Sequence, residues 1–304
     1  MSSSADPARG AMTAMEEALG YGRGARLLIP HIDDIGCAHG TVTATRDLFG
    51  GGFVTTGSVM VPCTWFPDVV ATAADRPDLD LGIHLTLTSE SSAARWRPIS
   101  TTSRASGLID DDGYMWSDVP SLRAHAARSA VEDELRAQIE AAISAGIDVT
   151  HLDHHMGAAL SPEFAAVTLD LAAEYGTPVL FPTRLAEYVD SLNMGDLDIV
   201  TLDALRDGHA PGVLFADTFE IGLNSLGEPC EDVYRRIIRR ADPGITFLSL
   251  HASAPGDIEA VHPKDHEWRV AERRLFEDTG FLAWVDEQDV HLVGIREIRD
   301  LVIN

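Results

Sequence analysis

The chain has 304 residues, 45% of them hydrophobic and 23% charged, which is typical of soluble globular proteins. Its formal net charge of -25 argues against nucleic acid or an anionic membrane as partner, because Lys and Arg are needed to bind phosphate groups. The chain has three cysteines without CxxC spacing, which favours a protein with reduced thiols. It shows no secretory signal pattern and no apolar run near the ~20 residues needed to cross a bilayer, so a cytoplasmic location is expected.

Residues 1–24 are expected to form a loosely ordered tail, after which predicted strands and helices alternate. Arg26–Ile32 is the first predicted strand, although Pro30 removes a hydrogen-bond donor and predicts that the strand ends or bulges there. A helix is predicted around Val131–Ala145, where apolar residues recur every four positions up to Ile143. Further strands are predicted at Phe53–Val61, Leu79–Leu87, Ile147–Leu152, Val179–Pro182, Gly212–Ala216, Ile245–His251 and Val290–Ile295.

This alternation predicts an α/β fold with a parallel sheet, either a barrel or a doubly wound sheet. Residues 25–304 are expected to form a single domain with a long polar insert around residues 89–120. A loop of that length in a compact domain is usually functional or disordered. Because the insert combines Trp96 with Arg95 and Arg97, it is interpreted either as a substrate-covering loop or as a packing insert.

Polar groups follow four of the predicted strands. They are Asp33 with Asp34, then His84, the cluster His151–His155, and finally His251. Active sites of parallel α/β barrels form at the carboxyl ends of the strands, because the βα loops converge there. Each group alone has an ordinary structural explanation, such as helix capping by Asp34. Their occurrence at four equivalent places predicts one shared site.

Strand alternation selects among the histidines. His84 faces away from the leucine and isoleucine side chains of its strand and therefore points into the barrel. In an extended THLDHH segment, His151, Asp153 and His155 share one face and His154 lies on the other. His151 is interpreted as a structural neighbour. A bulge in this strand would exchange the roles of His154 and His155.

One carboxylate and two imidazoles, from Asp34, His84 and His155, form a suitable ligand set for a divalent transition metal with open positions. A ligating histidine is usually held through its second nitrogen, and Asp153 is a candidate for that role. Asp33 would then be free to act as a base towards a metal-activated water.

His251 has two interpretations. As the last of the four groups, it is a candidate general acid for the leaving group. Alternatively, His151, Asp153 and His251 match the His-x-Asp…His triad of non-haem iron oxygenases. That alternative leaves Asp33 and His84 without a role, and such oxygenases usually have double-stranded β-helix folds rather than alternating strands and helices.

Six segments form a specific combination over residues 25–304, although each alone is weak evidence. They are HIDDIGCAHG (His31–Gly40), GFVTTGSVMVP (Gly52–Pro62), LGIHLTLT (Leu81–Thr88), ELRAQIEAAISAGIDVTHLDHHMG (Glu134–Gly157), LSLHASAPG (Leu248–Gly256) and HLVGIREI (His291–Ile298). In this combination the sequence resembles the YdjC-like (ChbG/HpnK) carbohydrate deacetylases, relatives in mechanism of the NodB polysaccharide deacetylases.

The resemblance implies a distorted (β/α) TIM-like barrel that removes an acetyl group from an N-acetylated amino sugar or oligosaccharide. It implies one divalent metal ion, zinc or magnesium, bound by Asp34, His84 and His155. Asp33 matches the general base and His251 the acid. The expected partner is a small carbohydrate, and a homo-oligomer is implied by resemblance only.

Asp153 and His154, like Trp96, are expected to orient the ligands or to contact substrate. The chain departs from the family pattern in three places. His31 stands where many members carry asparagine, Gly157 where many carry a second histidine, and Ala252 where a proline follows the late histidine. These departures bear on the substrate and on the late histidine more than on the metal ligands.

Two other functions are open from the sequence. A metal-dependent hydrolase of another amide or ester could use the same residues, and a catalytically silent barrel could bind sugar through the aromatic insert. Metal content and turnover of any acetylated substrate distinguish the silent barrel from an enzyme, whereas nothing in the sequence excludes the other hydrolase.

Overall fold

The computed structural model describes residues 15–184 and 213–303, with two further positions between these ranges. The strands are β1 (Arg26–Ile35), β2 (Thr56–Val59), β3 (Leu81–Leu85), β4 (Val149–His154), β5 (Val179–Pro182), β6 (Val213–Ala216), β7 (Thr218–Ile221), β8 (Gly244–Leu250) and β9 (His291–Leu292). The helices are α1 (His39–Leu48), α2 (Phe66–Asp75), α3 (Val119–His125), α4 (Arg128–Ser144), α5 (Ala165–Tyr175), α6 (Cys230–Arg240), α7 (Ile258–Val261), α8 (His266–Phe276), α9 (Thr279–Asp286) and α10 (Ile295–Ile303).

The strands pair in parallel in the order β6-β5-β4-β3-β2-β1-β8-β7, and β9 pairs with β1. β6 and β7 stand at the two ends of this order and are separated along the chain only by Asp217. The result is a nearly closed parallel barrel, with helices in each connection from β1 to β5 and from β7 to β9. The predicted α/β barrel is therefore confirmed.

Residues 15–24, the end of the predicted tail, pack beside the barrel. Gly24 donates a backbone hydrogen bond to Glu16 Oε2 at 3.0 Å. Leu19 and Tyr21 are partly buried against an apolar cluster that includes residues of β1 and β8. The rest of the predicted tail, like the first residue of the predicted strand Gly212–Ala216, lies outside the described residues.

Helix α4 shows how the predicted apolar pattern meets the barrel. Val131, Leu135 and Ile139 are fully buried, whereas Ile143 is 46% exposed. Four residues exceed one 3.6-residue turn, so the fourth member has rotated roughly 120° from the first. Across residues 15–184 and 213–303, no helix combines the length and the apolar character needed to cross a bilayer.

The end of β1 has an irregular backbone that is important for the site. Pro30 does not end the strand; the register against β2 shifts later, between Ile32 and Ile35. Asp34 within this irregularity has a φ of 61°, in the left-handed region that non-glycine residues seldom adopt. In a regular strand, neighbouring side chains face opposite sides. The irregularity lets both Asp33 and Asp34 face the same cavity.

The polar insert at residues 89–120 is folded onto the barrel. Trp96 is buried, and its Nε1 donates to the Thr88 carbonyl at 2.7 Å. Ile109 and Met115 form an isolated antiparallel bridge, and both side chains are buried. The insert thus contributes its own apolar side chains to the core and continues into α3.

Polar side chains occupy much of the barrel interior. A buried polar group is destabilising unless it is hydrogen-bonded, so this interior requires a connected network. The buried polar residues on the central strands include His31, Asp33, Asp34, Thr56, Ser58, His84, Thr150, His151, Asp153, His154, Thr246 and Ser249.

Candidate active site

A cavity of about 570 Å³ opens where the carboxyl ends of the central strands meet. All but one of the predicted site residues line this cavity: Asp33, Asp34, His84, Asp153, His154, His155 and His251. The exception is Trp96. The four strand ends identified in the sequence are therefore brought to one place.

Asp34, His84 and His155 can share one metal ion. Asp34 Oδ1 lies 3.3 Å from His84 Nε2 and 3.2 Å from His155 Nδ1. One ligand atom from each residue lies within 4.8 Å of the other two. Metal–ligand bonds of about 2.0–2.2 Å fit atoms at these separations. His154 does not belong to this group or to another candidate group among the described residues, and its Nε2 bonds the Leu180 carbonyl at 2.8 Å.

The second nitrogen of His84 is held by a carboxylate. His84 Nδ1 lies 2.9 Å from Asp153 Oδ1, and Ser58 Oγ donates to Asp153 Oδ2 at 2.9 Å. A carboxylate only accepts hydrogen bonds, so Nδ1 carries a proton and Nε2 is the ring nitrogen that faces Asp34. This is the position expected of a residue that orients a metal ligand.

His155 has the equivalent partner in Glu90, which the sequence analysis missed. Glu90 Oε2 lies 2.9 Å from His155 Nε2, which leaves Nδ1 facing Asp34. The other oxygen, Oε1, is buried and has no hydrogen-bond partner in the described part of the chain. Glu90 follows β3 at the start of a polar insert, and no spacing pattern distinguishes it from the other acidic residues there.

Arg269 of α8 was also missed. Its Nη1 donates to Asp34 Oδ2 at 2.8 Å and its Nε to Asp265 Oδ2 at 3.0 Å, and the side chain is 3% exposed. Burial raises the pKa of the Asp34 carboxyl, but Arg269 and the hydrogen bonds from His155 and His84 together hold that pKa well below its usual range. Asp34 is therefore a carboxylate at neutral pH.

The charges around the two histidines match a divalent cation. Burial lowers the pKa of His84, but Asp153 and Asp34 raise it overall to well above its ordinary value. Burial also lowers the pKa of His155, but Glu90 and Asp34 raise it overall to about 9. The carboxylates thus draw protons onto both imidazoles. A metal ion would replace those protons, since metal binding and ligand deprotonation are coupled.

Asp33 and His251 face the candidate ligands. Asp33 Oδ1 lies 2.6 Å from His31 Nδ1, and Oδ2 accepts from Ser249 Oγ at 2.7 Å. His251 Nε2 lies 3.8 Å from Asp33 Oδ2. The His251 backbone N–H donates to Glu272 Oε2 at 2.6 Å, which fixes the end of β8. Both groups therefore lie beside the candidate ligands at the cavity.

Other metal groupings fit less well. His31, His151 and Asp153 also lie close enough to share an ion, but His31 and His151 are fully buried and their Nε2 atoms bond each other at 2.8 Å. Within residues 15–184 and 213–303, no candidate group combines His151, Asp153 and His251. The geometry therefore does not support the iron-oxygenase triad.

Trp96 packs next to the site without lining it. Its ring centroid lies 6.0 Å from that of His155, with the rings at 67°. It belongs to an apolar cluster with Cys37, Met60 and Cys63. The structure therefore indicates that Trp96 packs against His155, and it does not indicate a direct contact between Trp96 and substrate.

Apolar side chains also line the cavity. Five of them form what we call its apolar wall: Leu180, Phe219, Ile221, Leu223 and Phe247. The cavity can therefore bind the polar reacting group of a substrate at the candidate ligands and an apolar face of the substrate against this wall.

Comparison with known proteins identifies the family of this chain. Residues 27–287 match a family model described as YdjC-like protein. A carbohydrate deacetylase of Thermus thermophilus is 35% identical over 242 residues, which cover 79% of this chain and 81% of that protein. One of Listeria monocytogenes is 32% identical over 274 residues, covering 89% of this chain and 99% of that protein.

The fold has a solved counterpart. A crystal structure from Enterococcus faecalis, described as a cellobiose-phosphate cleavage protein, aligns with a TM-score of 0.72 at 19% identity. The alignment covers 90% of this chain and 99% of that one. At this identity the likeness shows the fold alone. With the family model matched over most of the chain, and with relatives above 30% identity, the chain belongs to the YdjC-like family.

Proposed function

We propose that the protein is a metal-dependent deacetylase that removes the acetyl group of an N-acetylated amino sugar or oligosaccharide. The observation that carries the proposal is the cluster of Asp34, His84 and His155 at the cavity, with Asp33 and His251 beside it. Carbohydrate deacetylases among the relatives of this chain support the choice of reaction and substrate class.

The donor set favours zinc over magnesium. Two of the three candidate ligands are imidazoles, which suit zinc, whereas magnesium prefers oxygen ligands. Glu90 and Asp153 hold the remote nitrogens of the two histidines, so the ligating nitrogens face Asp34. A bound ion would polarise the acetyl carbonyl and lower the pKa of a water molecule.

Asp33 and His251 are proposed to move the protons. Asp33 accepts a proton from the attacking water. Burial and the nearby charge of Arg269 lower the pKa of His251, so at neutral pH its imidazole is neutral and one ring nitrogen can accept a proton. Asp33 Oδ2 lies 3.8 Å from His251 Nε2, a separation that a small movement closes for transfer of that proton. His251 then protonates the departing amine.

The test is acetate release by chelator-treated protein reloaded with zinc or magnesium. Substrates are N-acetylglucosamine, diacetylchitobiose and longer N-acetylglucosamine oligomers. Asp34→Asn is expected to lose both bound metal and activity. Asp33→Asn is expected to keep its metal and lose about 10²- to 10⁴-fold in kcat, the contribution of a positioned acid–base group. Full metal content and activity in Asp34→Asn would overturn the proposal.

A second candidate is a hydrolase of another amide or ester on the same site. The apolar wall around Phe219, Ile221 and Phe247 favours a substrate that carries an apolar group. Acetate release from p-nitrophenyl acetate and N-acetylated amino acids, without release from the sugars, would select this candidate. Sugar binding without any turnover would select a catalytically silent barrel. A cytoplasmic location and a homo-oligomer stay predictions from the sequence.

A further inference from the structure

The polar insert carries a second cavity beside the candidate active site. Its volume is about 470 Å³, and we call it the insert groove. The residues that line it are Ser92, Ala93, Arg95, Arg97, Asp112 and Tyr114. Arg95 and Arg97 flank Trp96 in the sequence, and neither has a part in the proposed reaction. The groove therefore needs an explanation of its own.

The insert groove is continuous with the active-site cavity. Ser92 lines both of them. Glu90, two residues earlier in the chain, lies 2.9 Å from the Nε2 atom of the candidate ligand His155. Two residues of chain span at most about 7 Å. A ligand that extends from the candidate ligands past Ser92 would therefore enter the groove after a short distance.

The insert directs Trp96 inward and its two neighbours outward. Trp96 is buried, and its carbonyl accepts from the backbone N–H of the equally buried Met115 at 3.2 Å. Side chains two positions apart in an extended chain face the same side. Arg95 and Arg97 do so, because both guanidinium groups lie over the ring of Tyr114, at 4.9 and 4.3 Å from its centroid. The buried tryptophan thus anchors a charged and aromatic outer surface.

One of the two arginines is occupied by contacts within the insert. Arg95 Nη2 donates to Asp110 Oδ2 at 2.6 Å and to the Met115 carbonyl at 2.7 Å. Asp110 Oδ1 also accepts from the backbone N–H groups of Asp112 and Tyr114, at 2.9 and 3.2 Å. The same carboxylate therefore fixes Arg95 and the turn that carries the other side of the groove.

The second arginine has free hydrogen-bond donors. The Arg97 side chain is exposed, and in the part of the chain that the structure describes it has no hydrogen bond or ion pair. Stacking on Tyr114 orients the planar guanidinium and leaves the N–H groups at its edge available. A Cβ at Gly113 would lie 3.1 Å from Arg97 Nη1, so the glycine gives the guanidinium its space. Water or a ligand must supply the acceptors for these N–H groups.

The polar groups of the groove suit a sugar better than an anion. Arg97 donates hydrogen bonds, the Asp112 carboxylate accepts them, and the Ser92 hydroxyl does both. Sugar hydroxyls also donate and accept, so they can satisfy this mixture. The charge of Arg95 is balanced by Asp110 at 2.6 Å, and Asp112 opposes the charge of Arg97 within the same groove. The groove thus has no excess of positive charge that would select a phosphate or a carboxylate.

We propose that the insert groove is a second sugar subsite, which binds a unit of the substrate other than the one that is deacetylated. This assignment rests on the proposed function, in which the acetyl group binds beside Asp34, His84 and His155. Arg97 is then a specificity-determining residue that contacts the substrate away from the reacting atoms. The subsite favours an oligosaccharide over a single amino sugar.

The kinetic test follows acetate release by wild type and Arg97→Gln from N-acetylglucosamine and its oligomers of two to four units. In the wild type, KM is expected to fall at the chain length that first reaches the groove. Arg97→Gln is expected to raise KM about 10- to 100-fold for oligomers of that length or longer, the usual effect of a hydrogen bond to a charged group. Its kcat, and its KM for the monosaccharide, should be unchanged, because binding away from the reacting atoms affects KM alone.

Arg104→Gln is the matched control for this test. Arg104 is an exposed arginine of the same insert, pairs with Asp111 at 3.0 Å and lines neither the groove nor the active-site cavity. We expect it to behave as the wild type at every chain length. A wild-type KM that does not depend on chain length would overturn the subsite, and so would an equal change of KM at all lengths in Arg97→Gln.

Binding measurements separate the subsite from the reaction. Calorimetry with the same sugars uses zinc-loaded Asp33→Asn, with and without Arg97→Gln, so that turnover is slow. The gain in affinity with chain length is expected only where Arg97 is present. That result without acetate release from any sugar by the wild type would refute the proposed function and retain the sugar subsite. Acetate release with equal KM in wild type and Arg97→Gln at every length would refute the subsite and retain the proposed function.

Discussion

Arg269 and Asp34 form a buried ion pair in which one carboxylate serves two kinds of partner. Arg269 Nη1 donates to Asp34 Oδ2 at 2.8 Å, while Asp34 Oδ1 faces His84 and His155 at 3.3 and 3.2 Å. Arg269 is the only cation that bonds this carboxylate directly among the arginine and lysine residues of the described chain. Without a metal ion, Arg269 is thus the main compensation for the charge of Asp34. We therefore expect Arg269 to contribute more to the stability of the metal-free protein than to that of the metal-loaded protein.

Arg269→Gln is expected to destabilise the metal-free protein by about 3–5 kcal/mol, because it leaves a buried carboxylate without its partner. Zinc is expected to recover more stability in this variant than in the wild type, because the cation takes over the charge of Asp34. Denaturant unfolding with and without zinc measures both effects. Arg273→Gln on the same helix, whose partners are the half-exposed Asp47 and Glu277, is the control. Equal zinc effects in all three proteins would contradict this account.

Glu90→Gln tests the carboxylate behind His155. The substitution keeps the shape at the 2.9 Å contact with His155 Nε2 but removes the charge that raises the basicity of the ring. We expect zinc affinity to fall about 10- to 100-fold, as for other partners of ligating histidines. Competition with a chromophoric chelator measures the affinity. Glu163→Gln, in a surface pair with Arg123, should leave it unchanged. Unaltered affinity in Glu90→Gln would show that Glu90 does not support the ligand.

The predicted site residues that line the cavity come from the ends of strands or directly follow them. Asp33, Asp34, His84 and His155 could be identified because parallel strands bring their carboxyl ends together and because alternation assigns each side chain to a face. Alternation alone would have separated Asp33 from Asp34. The left-handed backbone of Asp34 is a tertiary feature that no residue pattern indicated.

The residues that were missed reach the site from elsewhere. Arg269 lies on α8, remote in sequence from Asp34, on the buried side of a helix that also carries many charged residues. Glu90 lies in the polar insert, where acidic residues are common. Which charged residues form ion pairs depends on which of them the fold brings together. Neither Arg269 nor Glu90 belongs to a periodic sequence pattern that would have indicated its partner.

Gly82→Ala tests the space that the fold leaves for His151. The added methyl group would lie 2.5 Å from the ring, within a core that cannot relax freely. Overpacking of this type costs about 1–3 kcal/mol. We expect the free energy of unfolding to fall by that amount and the His31–His151 contact to be lost. Gly22→Ala is the control, because a Cβ there meets nothing within 4 Å. Wild-type stability in Gly82→Ala would show that the ring is not confined.

Glu272 gives the protein a pH-dependent stability. It accepts hydrogen bonds from Tyr234, from Trp268 Nε1 at 2.6 Å and from the His251 backbone at 2.6 Å. Burial raises the pKa of this carboxyl from its ordinary value of 4.5 to about 7 despite these donors. The folded state therefore binds its proton more tightly than the unfolded state does. The stability that this proton contributes is complete below about pH 4.5 and is lost as the pH rises through about 7.

Glu272→Gln is expected to remove this dependence. Between about pH 5 and about pH 8, the wild type should lose on the order of 2 kcal/mol relative to the variant, because each unit of pKa shift corresponds to 1.36 kcal/mol. Urea unfolding of both metal-free proteins across that pH range measures their free energies of unfolding. Subtracting one from the other removes the contribution of the groups that titrate equally in both proteins. Glu277→Gln, at an exposed pair with Arg273, should run parallel to the wild type. A constant difference between Glu272→Gln and the wild type would mean that Glu272 stays ionised in the fold, as its three hydrogen-bond donors alone would favour.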